Sequence, residues 1–213
     1  MKRFKISLEN APEDVIKEFV NVITRGGIAI YPTDTVYGLG CDPFNEKAVE
    51  KIFKLKKRDL RKPIPLLVSD LEAVEKLAYV DELAYKVMKS FWPGPLTILI
   101  EVKKNAVPSI VTAKLNKIGL RQPKCEITLK LIEAVGGFLT GTSANISGKE
   151  APSDVETAIR YFGKDIDLVL DAGKTPITIP STVIDLTTRP LKVVREGPIS
   201  KEDLKKKLGI EVI

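Results

Sequence analysis

Thr33, Asp34 and Thr35 lie together in the stretch GGIAIYPTDTVYGLG at 26–40, three small polar residues between an apolar run and a pair of glycines. Residues 28–30 have strand character, and Pro32 breaks any helix and biases Tyr31 to an extended backbone. A buried strand would thus deliver a hydroxyl-rich turn, and Gly38 and Gly40 are expected to let backbone approach a ligand closely. An ordinary strand, turn and second strand, with Thr chosen for β propensity, accounts for the same residues. The other groups able to do chemistry are dispersed: Lys56 and Arg58 in the basic run KLKKRDLRK, Arg121, Ser143 and Asn145 in TSAN, Ser181 and Thr182, and Arg195.

These are donors and cations, with little capacity to act as a general base. The chain has no histidine, which excludes a His base, a His-containing triad and a His-ligated metal. No GxxxxGK[ST] phosphate loop, GxGxxG fingerprint or GxSxG elbow is present, and no cluster of metal-ligating residues is visible. The set suits binding and stabilising phosphates better than acid–base work, and nucleotidyl transfer is a reaction in which positioning and charge stabilisation supply most of the catalysis. The net charge of +6 over 213 residues permits anionic partners, nucleotides or RNA, without demanding them.

The elements that must hold these groups follow from periodicity. A helix is predicted over 11–25, with Val15, Phe19, Val22 and Ile23 on one face. A second is predicted over 46–58, with Asn45 as N-cap and Val49, Ile52 and Phe53 as its buried stripe. Lys56 falls on the apolar side of that helix, where a cation needs a partner or a cleft. Residues 63–68 read as a strand, 70–90 as a helix or helix pair, 96–102 as a central strand, 105–112 as a loop and 118–121 as a short strand delivering Arg121. A helix over 128–135, a helix over 154–162 capped by Ser153, strands at 168–170, 183–186 and 191–195, and a helix over 200–208 complete the chain. If 142–145 is extended, Ser143 and Asn145 share a face.

No repeat, low-complexity tract or linker interrupts residues 1–213, so one α/β (α+β) domain is expected. No apolar run approaches the ~20 residues of a membrane helix, and the N-terminus lacks the apolar core of a signal peptide. Cys41 and Cys125 belong to no CxxC pair. A cytoplasmic protein with free thiols and no membrane partner is the expectation.

Four blocks carry a resemblance: PTDTVYGLG at 32–40, LKKR at 55–58, TSAN at 142–145, and STVIDL with VVREG within 181–197. In that order they resemble the YrdC/Sua5 family of threonylcarbamoyl-AMP synthases. The resemblance implies a twisted, mixed β-sheet flanked by helices with a large concave, positive surface, in a short form without the second C-terminal domain of some relatives. It implies a reaction of L-threonine, bicarbonate and ATP, with Mg2+, giving threonylcarbamoyl-adenylate and pyrophosphate for modification of adenosine 37 of tRNA. It also points to tRNA or a downstream threonylcarbamoyl-transferase complex as partners.

By the same resemblance, Lys56 and Arg58 meet the ATP phosphates, Ser143 and Asn145 the nucleotide and its metal, and Arg195 the nucleotide. Thr33 contacts threonine with Thr35 in support, Arg121 meets a carboxylate or phosphate, and Ser181 and Thr182 line the amino-acid side. Ser69 stands where many relatives carry a histidine that meets the amino acid; a hydroxyl still hydrogen-bonds but carries no charge. A non-enzymatic double-stranded RNA or tRNA-binding module of the same fold is the alternative, and a regulatory or chaperone subunit a third.

Overall fold

The strand at 96–101 shows how the fold makes a floor. In LTILIE, Leu96, Ile98 and Ile100 are buried on one face, while Thr97 and Leu99 point to the other. Period-two alternation splits an almost wholly apolar strand into a core side and a side able to carry function. The same split recurs in 117–121, where Ile118 and Leu120 enter the core and Gly119 and Arg121 face away, and around 181–185, where Ile184 is core and Ser181 and Val183 face away.

The computed structural model describes residues 1–213. In chain order the elements are β1 (Lys2–Lys5), α1 (Glu13–Thr24), β2 (Ala29–Tyr31), β3 (Gly38–Gly40), α2 (Glu46–Lys56), β4 (Leu66–Val68), α3 (Leu71–Leu77), α4 (Glu82–Phe91), β5 (Leu96–Glu101), α5 (Ser109–Thr112), β6 (Lys117–Arg121), α6 (Glu126–Ala134), β7 (Phe138–Thr140), β8 (Thr142–Ser143), α7 (Val155–Phe162), β9 (Leu168–Asp171), β10 (Thr182–Asp185), β11 (Lys192–Arg195) and α8 (Lys201–Leu208). They form two mixed sheets, ordered β1-β9-β2-β3-β8 and β11-β10-β5-β6-β4-β7. The chain passes from the second sheet to the first at Gly141, between β7 and β8. A Cβ at Gly141 would stand 2.9 Å from the Leu67 side chain, so only glycine lets the two sheets meet there.

Several details differ from the sequence reading. The expected strand at 96–102 is β5, inside the second sheet, and the region 70–90 is a helix pair. Residues 109–112 of the expected loop form the short α5. Helix α7 is capped by Asp154, whose carboxylate accepts from Thr157 N at 2.8 Å, and not by Ser153. Strand β1 was not anticipated, because KRFK has no apolar alternation; it exists through parallel pairing with β9. Gly38 and Gly40 serve another purpose than the one expected. Cβ atoms there would lie 2.4 and 2.6 Å from the Tyr31 ring, so the glycines seat that buried ring across the β2–β3 hairpin. The Tyr31 hydroxyl donates to Thr140 O at 2.7 Å, tying the hairpin to β7.

Apolar packing fixes the layers. Phe19 and Ile23 of α1 pack with Tyr31, Leu131 and Leu170 against one face of the first sheet. Ile52, Val87, Met88, Ile98 and Leu120 belong to the larger core between the sheets and helices α2 and α4. Fully burying each such side chain stabilises the fold by roughly 1.5–3 kcal/mol.

Candidate active site

A hollow of about 330 Å³ lies over the outward face of β4, β5, β6, β10 and β11, closed on one side by the β2–β3 turn and by β8. Arg58, Lys62, Arg121 and Arg195 all reach its wall, with Thr35, Thr97, Thr142, Ser143 and Ser181 between them. No carboxylate lines it. An anion entering this space meets several cations and hydroxyls with little competition from acids.

Each arginine is held by protein carbonyls, hydroxyls or, for Arg121, the Asp34 carboxylate, and keeps N–H groups in reserve. Arg58 Nε donates to Lys62 O at 3.2 Å and Nη2 to Pro63 O at 2.7 Å, leaving three of its five N–H groups unengaged. Arg195 donates through Nε and Nη2 to Ser181 O at 3.0 and 2.7 Å, and through Nη2 to Ser181 Oγ at 3.2 Å, leaving Nη1. Ser181 Oγ is in turn 2.8 Å from Thr97 Oγ1 on the floor. Arg121 is buried; Nε donates to Gly94 O at 3.0 Å, Nη1 to Thr35 Oγ1 at 2.9 Å, and Nη2 to Asp34 Oδ1. Burial pulls the pKa of all three guanidiniums down, and for Arg195 the nearby Arg121 and Arg58 add to that. Three cations pressed together in a partly buried space favour any anion that joins them.

The turn that carries Thr35 is locked by its neighbour. Thr33 Oγ1 accepts from Thr35 N at 3.0 Å and donates to Val36 O at 2.7 Å. That local hydroxyl-to-backbone pattern is the reason a Thr-x-Thr sequence turns here.

The structure therefore brings Arg58, Arg121, Arg195, Thr35, Ser143 and Ser181 to one hollow, and it keeps five of the expected residues off its wall. Lys56 is 1% exposed, and its Nζ donates to Ser143 O and, at 2.7 Å, to Asn145 O. It holds the TSAN turn from behind where a contact to phosphate was expected. Burial, with Arg58 nearby, pushes its pKa down to about 7. Asn145 is also behind the wall: its Oδ1 accepts from Ser143 Oγ at 2.5 Å and its Nδ2 donates to Lys149 O at 2.7 Å. Thr33 is engaged in the turn just described. Ser69 turns its hydroxyl to Asp70 Oδ2 at 2.7 Å, outside the hollow. Thr182 is buried on the core side, with Oγ1 donating to Ile199 O at 2.7 Å. Ser181 enters β10 extended, directly before Thr182, and successive side chains of an extended segment face opposite ways, so the two do not share one ligand.

Thr97 and Lys62 line the hollow without having been singled out from the sequence. Thr97 had a signal: it is the one hydroxyl inside an apolar central strand, and a buried hydroxyl requires a partner. Lys62 is one of several lysines in a basic run, and nothing local distinguishes it.

Comparison with known proteins decides the family. A family model for Sua5/YciO/YrdC proteins, described as telomere recombination, matches residues 21–197. This chain belongs to that family. The Sua5/YciO/YrdC member named putative threonylcarbamoyl-AMP synthase from Methanocaldococcus jannaschii is 40% identical over 195 residues, covering 91% of each chain. The threonylcarbamoyl-AMP synthase of Pyrococcus abyssi is 38% identical over 94% of this chain, which spans 59% of that relative's length. The crystal structure of P. abyssi Sua5 complexed with L-threonine has a TM-score of 0.94 to this fold at 35% identity, covering all of this chain and 63% of the other. Escherichia coli YciO has a TM-score of 0.85 at 32% identity, covering 92% of this chain and 96% of its own. No helix in this structure is long and apolar enough to cross a membrane, and both cysteines are free and buried.

Proposed function

We propose that this protein is a threonylcarbamoyl-AMP synthase, a nucleotidyltransferase that joins L-threonine, bicarbonate and ATP into threonylcarbamoyl-adenylate and pyrophosphate. The observation that carries the reading is the convergence of Arg58, Arg121 and Arg195 with Thr35 and Ser143 on one acid-free hollow, in a fold that matches a threonine-bound Sua5. The chemistry suits these residues. Bicarbonate and the threonine amine condense, with loss of water, to an N-carboxylated amino acid. An oxygen of the new carboxylate attacks the α-phosphorus of ATP, one P–O bond forms, the bond to the β-phosphate bridge breaks, and pyrophosphate leaves. The nucleophile is already an anion, so the displacement needs no histidine base. It needs two negatively charged reactants held together, and fixed guanidiniums reduce their repulsion.

In this reading Arg58 and Arg195 hold the polyphosphate and Arg121, beside Thr35, holds the threonine carboxylate, each with the N–H groups left unengaged above. Lys56 and Asn145 contribute by fixing Ser143. Mg2+ is expected to arrive with the triphosphate: the wall offers the Ser143 hydroxyl and no carboxylate, a donor set that fits a metal held mainly by phosphate oxygens and water. When bound it would neutralise phosphate charge; the orientation of both reactants falls to the protein groups. The acyl-adenylate would then serve a downstream threonylcarbamoyl-transferase complex acting on tRNA.

The test is pyrophosphate release from ATP, measured with threonine and bicarbonate supplied together and singly. Turnover that requires both is expected. Absence of turnover, with tight and salt-sensitive tRNA binding in its place, would replace this reading by the RNA-binding one.

A further inference from the structure

Arg121 has five N–H donors, and three are engaged: Nε with Gly94 O, one on Nη1 with Thr35 Oγ1 and one on Nη2 with Asp34 Oδ1. One N–H on each terminal nitrogen remains, and Arg121 lines the hollow, so these two are the donors it can offer to a carboxylate there. Asp34 makes this hold possible, yet it is poorly arranged to stabilise the fold. Asp34 is 4% exposed, its Oδ1 reaches only Arg121, and its Oδ2 has no hydrogen-bond partner. An unsatisfied buried carboxylate oxygen costs stability, and a buried ion pair returns little of its desolvation unless every group is satisfied.

The backbone around Asp34 is clamped from the opposite side. Ile177 N donates to Asp34 O at 3.1 Å, and Thr175 Oγ1 donates to Thr35 O at 2.8 Å. The 175–177 loop thus sets the turn, the turn sets Asp34, and Asp34 faces the guanidinium.

We propose that Asp34 is a positioning residue for the amino-acid substrate: it fixes the rotation of the Arg121 guanidinium so that two N–H groups face the hollow. Asp34 does not itself line the hollow and touches no reactant. It acts through Arg121, and its contribution appears in the capture of the amino acid and not in the displacement at phosphorus. The kinetic consequence rests on the synthase reading; the fixing of the guanidinium does not.

Two measurements test this on the intact protein. In the first, side-chain 15N–1H spectra are recorded for the wild type, Asp34→Asn, and Arg121→Lys to assign the Arg121 signals. Restricted rotation, with separate Nη–H signals for Arg121, is expected in the wild type and averaging in Asp34→Asn, which keeps an acceptor oxygen but loses the charge. In the second, the KM for L-threonine should rise roughly 10- to 100-fold in Asp34→Asn, the order of a lost charge-assisted hydrogen bond, with kcat and the KM for ATP within about threefold. Thermal unfolding of Asp34→Asn establishes that it is folded; should it not be, Asp34→Glu, which keeps the charge and shifts its position, takes its place with the same expectations. A guanidinium equally restricted in the variant, or a threonine KM within twofold of wild type in an active enzyme, overturns the proposal. If the wild type has no threonine-dependent turnover, the synthase reading fails and the spectra alone decide the role of Asp34.

Discussion

Lys56 and Arg58 are two residues apart at the end of one helix, and they belong to different regions of the molecule. Lys56 faces inward and clasps two carbonyls of the TSAN turn; Arg58 lies past the left-handed residue Lys57, φ 48°, and reaches the hollow. The first region is a closed clasp whose donors meet protein acceptors. The second is an open cluster whose donors are left over. A cation near a phosphate site is therefore not by that fact a phosphate ligand: what matters is how many of its hydrogen bonds the protein has already taken.

The contrast is easiest to break at its two ends. Lys56→Met leaves the Ser143 and Asn145 carbonyls without their partner, and is expected to lower stability by roughly 2–4 kcal/mol in denaturant titrations, with activity falling as Ser143 loses its seat. Arg58→Ala is expected to do the reverse. Stability should change by about 1 kcal/mol or less, while the KM for ATP rises roughly 100-fold, the order of a removed charge-assisted contact. If Lys56→Met is as stable as wild type and only loses ATP affinity, the division between the two regions is wrong. Arg195→Ala should weaken ATP binding about tenfold, less than Arg58→Ala, because Arg195 has only Nη1 unengaged.

The clasp also has a pH signature. The Lys56 pKa is depressed to about 7 in the fold, against roughly 10.4 in an unfolded chain. Between those values the unfolded state binds more protons, so this group's contribution to stability is full above the ordinary lysine range and is lost as pH falls to about 7. Wild-type stability minus that of Lys56→Met should therefore rise from pH 7 to 9; the subtraction removes Cys41 and the buried tyrosines, which titrate in both proteins. A flat difference would mean that the two carbonyls keep the ammonium charged. The smallest effect is expected at Ser69: Ser69→Ala removes a hydroxyl that serves Asp70, and the threonine KM should stay within twofold.

Much of the fold was legible because it is written in local periodicity. The stripe of Val49, Ile52 and Phe53 marked α2, Asn45 capped it as expected by accepting from Ala48 N at 3.2 Å, and the apolar run at 96–101 marked a central strand. Strand β1 was illegible because its Lys and Arg side chains carry no alternation; its partner β9 lies more than 160 residues away in sequence. The division into two sheets turns on Gly141, which looks like any glycine until Leu67 is set against it.

The site was legible in kind but not in detail. Arg58, Arg121, Arg195 and Ser143 reach one hollow from four separate segments, as expected. Thr182 was separable from Ser181 by alternation alone, and Thr97 by its solitude in an apolar strand. Lys56 and Asn145 could not have been sorted from the sequence, because their donors close on backbone carbonyls, and every residue has one; the Ser69 hydroxyl is taken by the neighbouring Asp70 carboxylate.

Residue identity and short-range spacing were enough to give the class of chemistry, donors and cations without a histidine base, and the type of most helices and strands, though not β1, β7, β8 or α5. Only the tertiary structure decided which of those donors are free. A hydrogen bond closes on whichever acceptor long-range packing brings within about 3 Å, so a side chain's availability to a ligand is a property of its neighbours in space.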